Sequence, residues 1–163
     1  MSWFSDRESW QATVSLTPSI ADHFDKFEAS YWQLPQIPAQ VLDLCRLRIA
    51  QIHRCDVELA RRATTLHSDK HDALANWTRS DLFSDAERAG LEFAEMYAID
   101  VSAISDAQAD AVKKHFGDAG LVALVQALGL FYARCRMSQL WDLPAGATGA
   151  NDSTVNDGAG AHS

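Results

Sequence analysis

Apolar side chains recur along this chain at the three- and four-residue spacing of helices. Val, Ile and Thr never gather into alternating runs on either side of a tight turn. Helix starts are well marked. Thr17 before Pro18 reads as an N-cap with proline at the first helical position, opening a helix to about Tyr31. Pro35 and Pro38 bound a short linker, and a second helix starts at Pro38. Ser84-Asp85-Ala86-Glu87 is a capping box ahead of a stretch in which Leu91, Ala94, Glu95 and Ala98 mark one side, flanked by Phe93 and Tyr97. Ser105-Asp106-Ala107-Gln108 is a second box, opening a helix that ends near Gly117. Asp118 then caps a long last helix through Leu121, Leu124, Val125, Leu128, Phe131 and Tyr132, which stops before Pro144. The pattern predicts an all-α bundle of at least five helices and no sheet.

Residues 145–163 change character. Gly, Ala, Ser, Asn, Asp and Thr dominate there, with Val155 the one large apolar side chain. Such a segment buries too little to offset its ordering entropy. The expected organisation is an N-terminal arm carrying aromatics over 1–16, one all-α domain over 17–143 and a disordered tail over 144–163.

At 163 residues, 47% hydrophobic and 22% charged, the composition is that of an ordinary single globular domain. A net charge of -8 argues against nucleic acid as a partner, because phosphate affinity needs clustered cations. No apolar run approaches the ~20 residues of a membrane span, so no membrane partner is expected. The first ten residues, MSWFSDRESW, carry acids and two tryptophans and do not read as a signal peptide, which makes the cytoplasm the expected compartment. Cys45, Cys55 and Cys135 are an odd count with no CxxC spacing, which excludes a fully paired disulfide framework and a cysteine-zinc tetrahedron. The thiols are expected reduced, with Cys45 and Cys135 acting as small buried hydrophobes.

Chemistry concentrates in Asp43 to Arg62. Five of the fourteen basic residues lie here (Arg46, Arg48, Arg54, Arg61 and Arg62) against Asp43, Asp56 and Glu58, a local balance of +2 in an acidic chain. A solvated helix face accounts for such a run, and Arg54–Glu58 and Glu58–Arg62 both have the i,i+4 spacing of helical ion pairs.

The same stretch resembles the core of the AhpD-like family, which includes alkylhydroperoxidases and carboxymuconolactone decarboxylases. The likeness runs through Leu44-Cys45-Arg46-Leu47-Arg48-Ile49-Ala50-Gln51-Ile52 and Cys55, then Leu74-Ala75-Asn76-Trp77-Thr78-Arg79-Ser80, then Leu82-Phe83-Ser84-Asp85-Ala86-Glu87-Arg88-Ala89 with Phe93 and Glu95, and covers about 38–143. It implies an AhpD-like helical bundle, a homo-oligomer (dimer, trimer or hexamer) and a peroxiredoxin-type antioxidant activity without a cofactor. Active members of the family resemble one another at a carboxylate about twelve residues before a CxxC pair, with a histidine four residues after the second cysteine. One thiolate attacks the peroxide, the other thiol resolves the sulfenic acid, and the histidine and carboxylate relay the proton.

Most of that set is replaced in this chain. The carboxylate is Asp43, the first cysteine is Cys55, the second cysteine is Glu58 and the histidine is Arg62, while Arg54 stands where a glycine usually precedes the first cysteine. In the family the missing second cysteine is the expected peroxide attacker. Glu58 has no thiol chemistry, and Arg62 keeps its proton near neutral pH. Two readings stay open for the replacements: a structural Glu58–Arg62 salt bridge, or an anionic ligand held by Arg62 or Arg54.

Twelve residues of unbroken helix would hold Asp43 and Cys55 ~18 Å apart. The resemblance implies a turn near His53-Arg54 that sets Cys55 at a helix start, where the helix dipole and nearby arginines would favour a thiolate. Cys45 lies ten residues away, ~15 Å along a helix, and Cys135 lies on another helix, so neither is expected to bridge to Cys55. The leading expectation is a divergent member with little or no peroxidase turnover. The alternatives are a single-thiol hydroperoxidase using Cys55, and a non-enzymatic anion-binding or assembly module using Arg54 and Arg62. A lactone decarboxylase would want the absent histidine.

The remaining signals are weaker. His67 and His71 have the i,i+4 spacing of a metal pair, with Asp72 adjacent but no third-ligand pattern, so solvent-exposed histidines are expected. His53 lies two residues before Cys55 and reads as a helix-end residue. His23 and His115 have no partner pattern. Trp3, Phe4 and Trp10 are expected to be exposed and to mark a subunit contact.

Overall fold

Prolines and capping serines decide where the helices begin. The protein was analysed as a computed structural model that describes residues 3, 9–64, 66 and 68–146. Among these, α1 spans Trp10–Val14, α2 Pro18–Tyr31, α3 Ala39–His53, α4 Asp56–Ala60, α5 Ser68–Ala73, α6 Asp85–Ile99 and α7 Asp106–Leu140, with 3-10 turns at Leu74–Arg79 and Val101–Ala103. No strand occurs among the described residues. Pro18 opens α2, and complete capping boxes at Ser84 and Ser105 open α6 and α7. Gly117, at φ 69° and ψ -179°, interrupts α7 where the sequence ends one helix and starts another.

α3 is the central element. It packs most extensively against α6, and both pack against α7. One side of α3 (Val41, Leu42, Cys45 and Ile49) joins Phe93 and Ala94 of α6 and Leu124, Leu128 and Phe131 of α7 in the main core. The other side (Leu44 and Leu47) meets Leu74, Trp77, Phe83 and Leu91 in a second cluster. α3 and α6 approach closely at Gly90, where a Cβ would lie 3.0 Å from Val41 Cγ1. Trp77 anchors the second cluster, its Nε1 donating to Glu95 Oε2 at 2.9 Å while Arg48 Nε donates to the same oxygen at 3.1 Å.

Three expectations change. Trp10 is not an exposed contact residue: it is 2% exposed, packs against Phe24 and Trp141, and lies under the Arg134 guanidinium 4.0 Å from its ring. The arm expected over 1–16 is therefore part of the domain from Ser9 onward, because Ser9 caps α1 and its first residue enters the core. Trp3 is exposed, and Phe4 lies outside the described residues. Lastly, α7 is long and apolar enough by length and composition to cross a membrane, with a window of mean hydropathy 1.5. Part of that apolar surface belongs to the core, where Leu124, Leu128 and Phe131 are fully buried. Of the tail expected from 144, Pro144, Ala145 and Gly146 are exposed, and the rest lies outside the described residues.

Candidate functional site

The reversal required between Asp43 and Cys55 occurs at Arg54, whose φ of 53° and ψ of 46° put it in the left-handed region. α3 ends there, the Cys55 amide closes back on the Ala50 carbonyl at 2.9 Å, and Cys55 becomes the N-cap of α4. This turn was expected from the resemblance, and it occurs without the glycine. It also removes the helical register that would have paired Arg54 with Glu58.

Glu58 is fully buried, and both of its oxygens are occupied. Arg134 Nε donates to Oε1 at 2.9 Å, and Arg46 Nη1 donates to Oε2 at 3.1 Å with Arg61 Nη1 further off at 3.5 Å. Arg46, itself buried, also donates from Nε to Asp43 Oδ1 at 2.8 Å, from Nη1 to the Glu58 carbonyl at 2.6 Å and from Nη2 to the Arg61 carbonyl at 3.0 Å. Thr64 donates its hydroxyl to Asp43 Oδ2 at 2.6 Å. Arg134 Nη1 donates to Glu28 Oε2 at 2.9 Å, and Arg61 donates to the other Glu28 oxygen. Three carboxylates and three guanidinia thus close into one charge-balanced network joining α2, α3, α4 and α7. Burial alone would raise the Glu58 pKa, but Arg134, Arg61 and Arg46 outweigh it and hold the group down at about 2.

The Glu58–Arg62 pair expected from spacing is not formed. α4 ends at Ala60, and Arg61 is already extended at φ -74° and ψ 134°, so Arg61 turns inward and Arg62 outward. Arg62 instead lines an open cavity of about 240 Å³ with Asp43, Arg61, Thr64, Ser68 and His71. Arg54 is exposed and does not line it. The four family positions therefore do not share a pocket. Asp43 and Arg62 border the cavity, while Cys55 and Glu58 do not line it and are buried at 1% and 0% exposure.

Cys55 has a neighbour that helix spacing made improbable. Its Sγ lies 3.8 Å from the Cys135 carbonyl, which accepts its hydrogen bond across 80 residues of sequence. The neighbouring Cys135 side chain lowers the Cys55 pKa against the opposing effect of burial, assisted by the Glu58 and Val57 amides. The same contact pushes Cys135 up. Cys45, raised chiefly by burial, faces α6 at Gly90. His53 does not polarise Cys55: its ring meets Tyr132 edge-on, and burial and Arg136 lower its pKa. His71 lies 3.6 Å from Asp72, and His67 falls outside the described residues. Among the described residues no group of three potential ligands could hold a metal ion.

Glu28 and Arg134 were missed by the sequence reading. A signal existed for both. Arg134 occupies a core-facing position three residues after Phe131 and one before Cys135, and Glu28 sits four after Phe24 and three before Tyr31. A charged residue on the inner register of a helix asks for a buried partner of opposite sign.

No family model matches the chain. Over 112 residues, 64% of the chain, it is 35% identical to YnjA of Escherichia coli (strain K12), itself uncharacterised, and the match spans 60% of that protein's length. Its fold is similar to the crystal structure of a cysteine-to-alanine variant of the debrominase Bmp8 in complex with 2,3,4-tribromopyrrole (TM-score 0.74, 15% identity, 82% of this chain and 74% of that one). It is also similar to a protein of unknown function from Agrobacterium tumefaciens suggested to be the antioxidant-defence protein AhpD (TM-score 0.68, 19% identity, 81% of this chain and 95% of that one). The chain has the AhpD-like fold expected from the resemblance.

Proposed function

We propose that the protein is a divergent member of the AhpD-like, carboxymuconolactone decarboxylase family whose two-cysteine peroxidase site has become a structural ion network, so that it turns over hydroperoxides little or not at all. The carrying observation is Glu58. At the position of the family's attacking thiol stands a fully buried carboxylate, both oxygens of which accept from guanidinia. Such a group is neither a nucleophile toward peroxide nor a proton acceptor near neutral pH. Arg62, at the histidine position, is a guanidinium that lines the cavity, which Cys55 does not. The antioxidant and debrominase neighbours support a redox ancestry at the level of fold. A cytoplasmic setting, where thiols stay reduced, suits three free cysteines.

A second reading, the single-thiol hydroperoxidase, is favoured by the lowered pKa of Cys55. Its burial opposes rapid reaction, because peroxide must first reach the sulfur. Steady-state consumption of an organic hydroperoxide with a dithiol reductant separates the two. Our reading predicts the protein-free rate for wild type and for Cys55→Ser alike. Sustained consumption by wild type that vanishes in Cys55→Ser would replace it with the second reading.

A further inference from the structure

We propose that Cys55 and Cys135 form a redox pair, and that two-electron oxidation joins them in an intramolecular disulfide linking the start of α4 to α7. The pair lies outside the CxxC spacing: Cys135 is contributed by the helix that also supplies Arg134 to the ion network. The Cys55 sulfur is 3.8 Å from the Cys135 backbone carbonyl, which accepts its hydrogen bond, and both residues are buried. The contact is asymmetric, with Cys55 shifted toward thiolate and Cys135 kept protonated, which divides the roles of attacking and resolving sulfur. Cys45 faces α6 at Gly90 instead, and burial keeps it a thiol.

With a hydroperoxide as oxidant, the Cys55 sulfur attacks the distal oxygen and the O–O bond breaks. The alcohol leaves with the Cys55 proton, and a sulfenic acid remains on Cys55. The Cys135 sulfur then attacks that sulfur, the S–O bond breaks, and water leaves with the Cys135 proton. Two thiols are oxidised, and one hydroperoxide is reduced to alcohol and water. Entry of a small oxidant needs only a local opening of α4, a five-residue helix followed by extended backbone. A protein-sized reductant cannot reach a bridge between residues exposed by 1% and 0%, and a small dithiol must wait on the same local opening, so the bridge persists and sustained turnover does not follow. The inference goes beyond the proposed loss of turnover, and the two fail separately.

The test treats the reduced full chain, in native buffer, with diamide and in parallel with cumene hydroperoxide. Free thiols are then alkylated and the protein is peptide-mapped without reduction. The expected result with each oxidant is a loss of two hydrogens, a linked peptide pair carrying Cys55 and Cys135, and Cys45 still alkylated. An unreacted chain, a bridge to Cys45, an intermolecular bridge, or a Cys55 sulfenic acid trapped by dimedone beside an alkylated Cys135 would each overturn the proposal. In Cys135→Ala the sulfenic acid should instead accumulate on Cys55. The wild-type map stands whether or not that variant folds. A bridge without steady-state turnover supports both proposals, a bridge with turnover removes only the loss of activity, and neither bridge nor turnover removes only the redox pair.

Discussion

Glu58 takes its properties from its three arginines. An isolated buried carboxylate would protonate, whereas this one is held at about 2 because Arg134, Arg61 and Arg46 converge on it. The sign of its pH effect follows. Its folded pKa lies below the ordinary 4.5, so its contribution is fully present above about 4.5 and is lost as pH falls toward 2. A shift of that size is worth roughly 3 kcal/mol. Glu87 shifts the same way, its burial outweighed by Lys70 and the Ser84 amide, and adds to the trend. Urea midpoints taken from pH 6 to pH 2 should therefore fall mainly below pH 5. A midpoint independent of pH across that window would contradict the network's electrostatics. At this scale the sequence was only partly legible. It marked Asp43, Cys55, Glu58 and Arg62 as the positions to follow, but ion-pair spacing assigned Glu58 to Arg62. That rule assumes unbroken helix, and α4 stops one residue before Arg61.

Elements with local start and stop signals were legible; those held by distant contacts were not. Ser84 and Ser105 act through hydrogen bonds within their own turns and Pro18 through its fixed φ, the Thr17 side chain making no cap bond, and α2, α6 and α7 begin there. α1 has only five residues and depends on Trp10 packing against Trp141 at the far end of the chain, which no local pattern carries. Two of the positive-φ sites allow a paired test. Arg54, at φ 53° and ψ 46°, occupies a conformation that costs an L-residue about 1 kcal/mol, so Arg54→Gly should leave stability unchanged or raise it by up to that amount. Gly117, at φ 69° and ψ -179°, lies in a region almost restricted to glycine. A Cβ there would meet nothing within 4 Å, so the cost of Gly117→Ala is the backbone's alone, about 1–3 kcal/mol. Chemical denaturation reads both, and a Gly117→Ala variant as stable as wild type would show that α7 can straighten through that point.

Across the whole molecule, α2, α3, α4 and α7 converge on one interior region, and three guanidinia and three carboxylates occupy it. Trp10 belongs to the interior; among the described residues, exposed Phe27 of α2 and Val122 of α7 border one open apolar groove. We expect a second copy to cover this face. Light scattering should give a mass above the 18.0 kDa monomer at micromolar concentration, and Phe27→Glu with Val122→Glu should return it to the monomer. A monomeric wild type would remove that expectation. The central claim, that a catalytic position has become structural, is tested most directly by equilibrium unfolding of Glu58→Gln beside wild type at neutral pH. The substitution keeps the shape and removes one of three charges facing the buried arginines. The account predicts a loss of about 3–5 kcal/mol. A Glu58→Gln variant within about 0.5 kcal/mol of wild type would mean that the carboxylate does not hold this fold together.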